Sequence, residues 1–170
     1  MSNQQIHLEN ITEVDQLNYE PLEPKYIKVQ FIVTLLTYLI LSGLSFFILL
    51  ADKFTYRIEL LVLVECLILL GATINLWMLP KAFAYKGFAL REHDITYRSG
   101  IFFPSVVTIP FCKIQQVSIQ QNPISRLLGL YSVDIVNGAQ LLAETNIPGL
   151  TEQRANEIKT LLVERVKDGK

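Results

Sequence analysis

The sequence predicts an α+β membrane protein: a two-helix transmembrane hairpin followed by a small, curled antiparallel β-barrel that a C-terminal α-helix closes. Three observations predict it. Two long apolar runs lie near the front of the chain, a β-alternating pattern fills most of residues 81–170, and one amphipathic helix ends it.

The runs are 29–50 and 58–79, each 22 residues long. As helices they reach roughly 33 Å at about 1.5 Å per residue, which matches a hydrocarbon core of about 30 Å. The first run carries no charge, and the second carries only Glu59 and Glu65. Lys25 and Lys28 flank the first span, Lys81, Lys86 and Arg91 follow the second, and only Lys53 and Arg57 lie in the connection 51–57. This excess of Lys and Arg places the connection outside and both termini in the cytoplasm of a multi-pass cell-membrane protein. Phe54, Tyr56 and Trp77 sit near the span ends, where amphipathic rings anchor. The first run starts at residue 29, is too long for a signal-peptide core and follows an acidic segment, so no cleavable signal is expected.

Residues 1–28 hold five acids and two bases, with Pro21 and Pro24 just before the membrane. They read as an acidic cytoplasmic tail, with only weak helical spacing through Ile6, Ile11, Val14 and Leu17. Residues 29–80 form the hairpin and 81–170 one small domain. That domain carries eleven bases against eight acids, so the cytoplasmic parts together are neutral. A nucleic-acid binder needs a dense basic face, and that class is excluded. Cys66 falls in a span and Cys112 in the domain. A disulfide or shared metal is not expected, and both read as packed free thiols.

Within the domain, residues 83–90 alternate loosely and meet the turn Arg91-Glu92-His93-Asp94. Ile95-Thr96-Tyr97-Arg98 alternates before a turn at Ser99-Gly100. Val107, Ile109 and Phe111 face one way, with Thr108 and Pro110 opposite. Val117 and Ile119 continue the pattern, but Ile114 is out of phase, which predicts a bulge near Gln115-Gln116. Asn122 suits an N-cap, Pro123 a first helical position and Gly129 a stop, so a short helix is expected there. Val133 and Ile135 mark another strand, with Asp134 facing the other way, and 141–147 the last. Pro148-Gly149 then breaks the chain before a helix capped by Thr151, with Glu152 in its first turn. Ala155, Ile158, Leu161, Leu162 and Val166 share one face of that helix.

Several stretches resemble the bacterial pleckstrin-homology domain of the membrane-flanked, YdbS-like family. They are Arg98-Ser99-Gly100-Ile101-Phe102, Ile109-Pro110-Phe111-Cys112-Lys113-Ile114-Gln115-Gln116-Val117, Asn122-Pro123-Ile124-Ser125-Arg126-Leu127-Leu128-Gly129-Leu130 and Ile147-Pro148-Gly149-Leu150. Leu22-Glu23-Pro24-Lys25-Tyr26 resembles the family's approach to its first span. The resemblance implies a seven-stranded PH-like barrel closed by the helix over 151–166. It also implies a non-enzymatic binding platform, the smaller member of a pair whose larger partner carries several such domains between membrane spans. Gln115 and Arg126 match family positions. Phosphoinositide binding, known for eukaryotic relatives of the fold, needs converging bases at the first strand turn, whereas Arg91-Glu92-His93-Asp94 offers one base and two acids.

No catalytic constellation, metal-ligand spacing, phosphate-cradling loop or cofactor motif appears, and His7 and His93 lie in a tail and a turn. Glu65 is the most suggestive single residue, because a carboxyl inside a span is costly. Counting depth from the loop end puts Ser42, Gly43 and Ser45 beside it on the antiparallel helix. Three readings stay open: an acid bonded within the hairpin, a contact to a partner's span, or a proton- or solute-handling role, which would require oligomerisation. Ile101-Phe102-Phe103-Pro104 fits either a hairpin tip that meets a partner or headgroups, or barrel core. Lys81, Lys86 and Arg91 form the candidate surface for anionic lipid, the working surface of an alternative lipid-sensing module. The favoured expectation is an interaction module in the bilayer that assembles with a larger membrane protein through Glu65, Ile101, Phe102, Phe103, Gln115 and Arg126.

Overall fold

The structure, a computed structural model, describes residues 17–50, 55–101, 103–138 and 144–168. The expectations for 1–16, Lys53, Phe54, Phe102 and residues 141–143 fall outside them. The elements are β1 (Glu20–Pro21), α1 (Tyr26–Ser45) continued by a 3₁₀ segment (Phe46–Leu50), α2 (Arg57–Tyr85), β2 (Gly87–Leu90), β3 (Asp94–Ser99) and β4 (Ser105–Pro110). A 3₁₀ turn (Phe111–Lys113) leads to β5 (Ile114–Gln120), α3 (Pro123–Leu127), β6 (Tyr131–Asn137), β7 (Glu144–Leu150) and α4 (Glu152–Asp168).

Both apolar helices are long enough to cross a membrane, 25 residues over Tyr26–Leu50 and 29 over Arg57–Tyr85. Their leucines, such as Leu39, Leu63 and Leu69, are exposed around the hairpin, as a lipid-facing surface requires. Hydroxyls on these helices are satisfied locally: Thr37 donates to the Val33 carbonyl and Thr73 to that of Leu69, both at 2.8 Å. α2 runs six residues past the expected span end, through Pro80. Proline there removes only its own bond to the Leu76 carbonyl, so residues 83–85 are helix rather than strand.

The strands form two antiparallel sheets, β1-β2-β3-β4 and β5-β6-β7. Among the described residues no strand pairing joins them: the two sheets share one core, and the pairing that would close them into the expected barrel is not found there. Phe88, Ile95 and Ile109 from the first sheet meet Ile114, Val133, Ile135 and Ile147 from the second, with Ala155, Ile158 and Leu162 of α4. The amphipathic face expected of α4 is the one buried, and Thr151 caps it, its Oγ1 accepting the Arg154 N–H at 3.2 Å. The register shifts between Ile114 and Gln116, which is the bulge the phase change required.

Three further expectations are corrected. β7 runs through Pro148-Gly149 to Leu150 because the sheet makes room there: Val133 pairs with Ile147 and Tyr131 with Leu150, so Pro148 and Gly149 stand opposite Ser132 alone. Such an irregularity tolerates a residue without an N–H. Cys66 and Cys112 are both exposed rather than packed; one sits on the outer side of α2 and the other on the 3₁₀ turn. The pre-membrane segment is not all tail. Glu20 and Pro21 pair with Phe88 and Gly87, and Leu22, 2 % exposed, lies in the domain core. Burying a leucine contributes about 1.5–3 kcal/mol.

Tyr97 of β3 packs against that core. Burial, and to a lesser degree the neighbouring Tyr26 hydroxyl, push its pKa from 10.0 up to about 12. A raised folded-state pKa means that this contribution to stability is complete below the unfolded value near 10 and is lost as pH rises towards 12. Thermal unfolding of the full chain in detergent is expected to fall over that window, and Tyr97→Phe should flatten this part of the curve. An identical alkaline loss in Tyr97→Phe would show that Tyr97 does not carry it.

Candidate functional site

Helical spacing carries Glu65 and the two serines to one face of the hairpin. Ser42 Oγ donates to the Glu65 carboxyl, 3.1 Å from Oε1 and 3.0 Å from Oε2. Ser45 Oγ donates to Oε1 as well and lies 2.6 Å from the Ser42 carbonyl. Glu65 therefore turns towards α1, with both oxygens engaged inside the hairpin. Nearer the loop, Arg57 Nη1 donates to the Leu49 carbonyl, in the 3₁₀ segment that continues α1, over 3.2 Å. The loop-side half of the hairpin is thus stitched by polar contacts whose strength rises where water is absent.

At the other end the hairpin is fixed to the domain. The Glu23 N–H donates to the Gly149 carbonyl at 2.9 Å, and Glu20 pairs with Arg154 of α4. Arg154 also meets Glu157 at 3.0 Å; Gln153 Nε2, donating at 2.9 Å, and then Arg154 hold the Glu157 carboxyl below its ordinary value, while Glu20 and then Glu157 hold the Arg154 guanidinium above its own. The Arg98 guanidinium lies 4.0 Å from the ring centre of Tyr19 and 5.0 Å from that of Tyr85. One cation thus joins the pre-membrane segment, β3 and the end of α2, each stack contributing about 0.5–1 kcal/mol or more when desolvated. Gly149 has φ +66°, and a Cβ there would sit 2.5 Å from Cγ and 2.6 Å from Cβ of Tyr26. Only glycine accommodates that backbone so close to the first turn of α1.

The other candidates divide. Phe103 is 89 % exposed at the tip between β3 and β4, whereas Ile101 is half-buried against the hairpin. Leu127 of α3 is 84 % exposed, and Arg126 beside it is exposed too. The Gln115 side chain lies over Gly138 at the bulge. Each of the three candidate lipid-facing bases has a local contact of its own. Lys81 Nζ sits 4.4 Å above the Trp77 ring and Lys86 Nζ 5.9 Å above that of Tyr26, with burial pulling the Lys86 pKa down. Arg91 Nε donates to Asp94 at 2.7 Å, which offsets its charge. Sequence reasoning reached Glu65 and its serines by counting depth. It missed Tyr19, Leu22 and Arg98 as a joint, because nothing periodic marks a contact across an intervening hairpin.

The comparisons with known proteins fit this geometry. A profile of the bacterial PH domain matches residues 30–166, most of the chain. The chain belongs to the bacterial PH domain family. It is also 29 % identical over 93 residues to the "UPF0699 transmembrane protein YdbS" of Bacillus subtilis, a match spanning 54 % of this chain and 56 % of that relative. No solved structure matches. With two membrane-length helices and a transmembrane relative, this is a membrane protein, and its two-sheet unit is a PH-like domain. The family match runs from the second turn of α1 to the last turns of α4, so it takes in the hairpin as well as the PH-like domain.

Proposed function

We propose that the chain is a non-enzymatic, membrane-anchored interaction module with both termini cytoplasmic, assembling with a larger membrane protein that carries repeated PH-like domains. The observation that carries this reading is Phe103. A large aromatic ring left 89 % exposed at a tight hairpin tip is costly for a lone domain and suits an anchor entering a partner's pocket. β4, which ends that hairpin, has a partner only on its β3 side among the described residues, so its outer edge is open to strand addition. Glu65, bonded to α1, serves the hairpin first, and the partner contact is placed on the domain. The lipid-sensing alternative finds less support, because Arg91 is paired with Asp94 and Lys86 is half-buried.

Purification of the tagged full chain from native membranes in mild detergent tests this. The expected companion is a stoichiometric membrane protein with several PH-like domains. Phe103→Ser is expected to lower its recovery about tenfold, the equivalent of about 1.4 kcal/mol at a central aromatic contact. Equal recovery with Phe103→Ser, or a chain that purifies alone, would overturn the assignment.

A further inference from the structure

The two helices are stitched near the loop by Ser42, Ser45 and Glu65 and touch again where Tyr38 packs on Gly71. Ten residues further along each helix, towards the domain, stand Lys28 and Lys81. The antiparallel course of the helices brings these two within about a helical turn of one level. Both are exposed. Lys81 Nζ lies 4.4 Å from the ring centre of Trp77, and that ring is itself 69 % exposed. Exposed lysines with a tryptophan just beneath them mark the headgroup layer at the end of a span.

The PH-like domain reaches down to that layer. Between the Tyr38 contact and the lysines, the helices part around a cavity lined by Val29, Gln30 and Val33 of α1 and Ile74 of α2, and Ile101 and Asn122 of the domain share its lining. Val29 stands one residue deeper than Lys28 and Val33 five, about 7.5 Å along the helix. Ile101 belongs to the tip between β3 and β4, and Asn122 is the N-cap residue of α3. α3 also packs against α1. A helix of five residues is about 7.5 Å long, and the headgroup layer is about 5–8 Å deep. Leu127, at the end of α3, therefore stays within about one layer depth of the cavity. Its side chain is 84 % exposed, and Arg126 beside it is exposed as well. At this level the medium around a bare leucine is lipid rather than bulk water. The other end of the sheet gives the contrast. β3 runs from the turn that holds the exposed Glu92 to the Ile101 tip, so Glu92 stands roughly 20 Å from that tip at about 3.3 Å per residue.

We propose that the underside of the PH-like domain is a bilayer-docking surface, on which Leu127 enters the boundary between headgroups and acyl chains and Arg126 meets lipid phosphates. The surface continues the lipid-facing side of the hairpin and seats the domain on the membrane through side chains outside both spans. It does not rest on the partner proposed above. Phe103, at the same tip as Ile101, meets that partner at bilayer level, where another membrane protein can offer a pocket.

Spin-label resonance of the full chain in phosphatidylcholine bilayers tests the surface. In a Cys66→Ala, Cys112→Ser background, a nitroxide on Leu127→Cys is expected to be relaxed more by oxygen, which concentrates in hydrocarbon, than by a water-soluble nickel chelate. A nitroxide on Glu92→Cys is expected to show the reverse order. A measurement without new cysteines decides the matter if those variants fail to fold. Leu127→Gln in the otherwise natural chain is expected to raise hydrogen exchange at residues 122–130 severalfold in the same bilayers and to leave residues 131–137 unchanged. Oxygen and nickel ranking at Leu127 as they do at Glu92, or exchange at 122–130 that Leu127→Gln does not move, would each overturn the proposal.

Discussion

Gly149→Ala is expected to destabilise the full chain by about 3 kcal/mol and to loosen the domain from its membrane hairpin. A non-glycine residue in left-handed backbone costs roughly 1–2 kcal/mol, and Gly149 has φ +66°. The added methyl would also meet the Tyr26 side chain at 2.5 Å, forcing the first turn of α1 off the sheet and with it the bond from Glu23 to the Gly149 carbonyl. The two contributions separate in a double-mutant cycle. In a Tyr26→Gly background the collision is absent, so Gly149→Ala should cost only its backbone strain. Thermal unfolding and hydrogen exchange at residues 20–25 read both effects. Equal costs in the two backgrounds would show that the contact with α1 is immaterial.

The second large effect concerns the clamp inside the hairpin. Replacing Ser42 and Ser45 together by alanine is expected to lower hairpin stability by about 2–3 kcal/mol, because an acid without partners inside a span costs about that much. Glu65→Leu in the natural background should cost less, since interhelical hydrogen bonds in membranes average about 0.6 kcal/mol and reach about 1.7. The sign should then reverse: in the serine-free background Glu65→Leu recovers stability. Denaturation in mixed micelles, followed by fluorescence of Trp77, the chain's single tryptophan, measures all four variants. Strict additivity would mean that the serines and Glu65 act independently and that the clamp contributes nothing as a unit.

Much of this was legible in the sequence because it is periodic. The alternation at Val107 and Ile109, the phase slip at Ile114 and the spacing of Ala155, Ile158 and Leu162 each leave a mark that burial matches, and the 22-residue apolar runs become two long helices whose leucines stay exposed. Glu65 was legible for another reason: two antiparallel helices joined by a short loop have a countable depth. What escaped was non-local or irregular. β1 is two residues long, too short to alternate, and its pairing with Phe88 crosses the whole hairpin. The strand through Pro148 and Gly149 contradicts local propensity and forms only because β6 offers an irregular register. The division of the described strands into two sheets was not legible, because alternation reports which face a residue takes, not which strand lies beside it. Arg98 stacked between Tyr19 and Tyr85, and Gln30 facing a cavity, depend on neighbours that no spacing rule brings together.

With the two-span topology proposed above, β1 has a consequence for biogenesis. The first strand of the first sheet leaves the ribosome before either membrane helix, while its partner strand is made after both. Leu22 can reach its place among Phe88, Ile95 and α4 only if the chain has crossed the bilayer an even number of times. A hairpin that inserted one helix and left the other behind would strand Leu22 and Glu20 on the opposite side from the core and from Arg154. The finished domain thus checks the insertion that preceded it, and a chain that fails the check lacks an edge strand and a core leucine, exposing it to quality control.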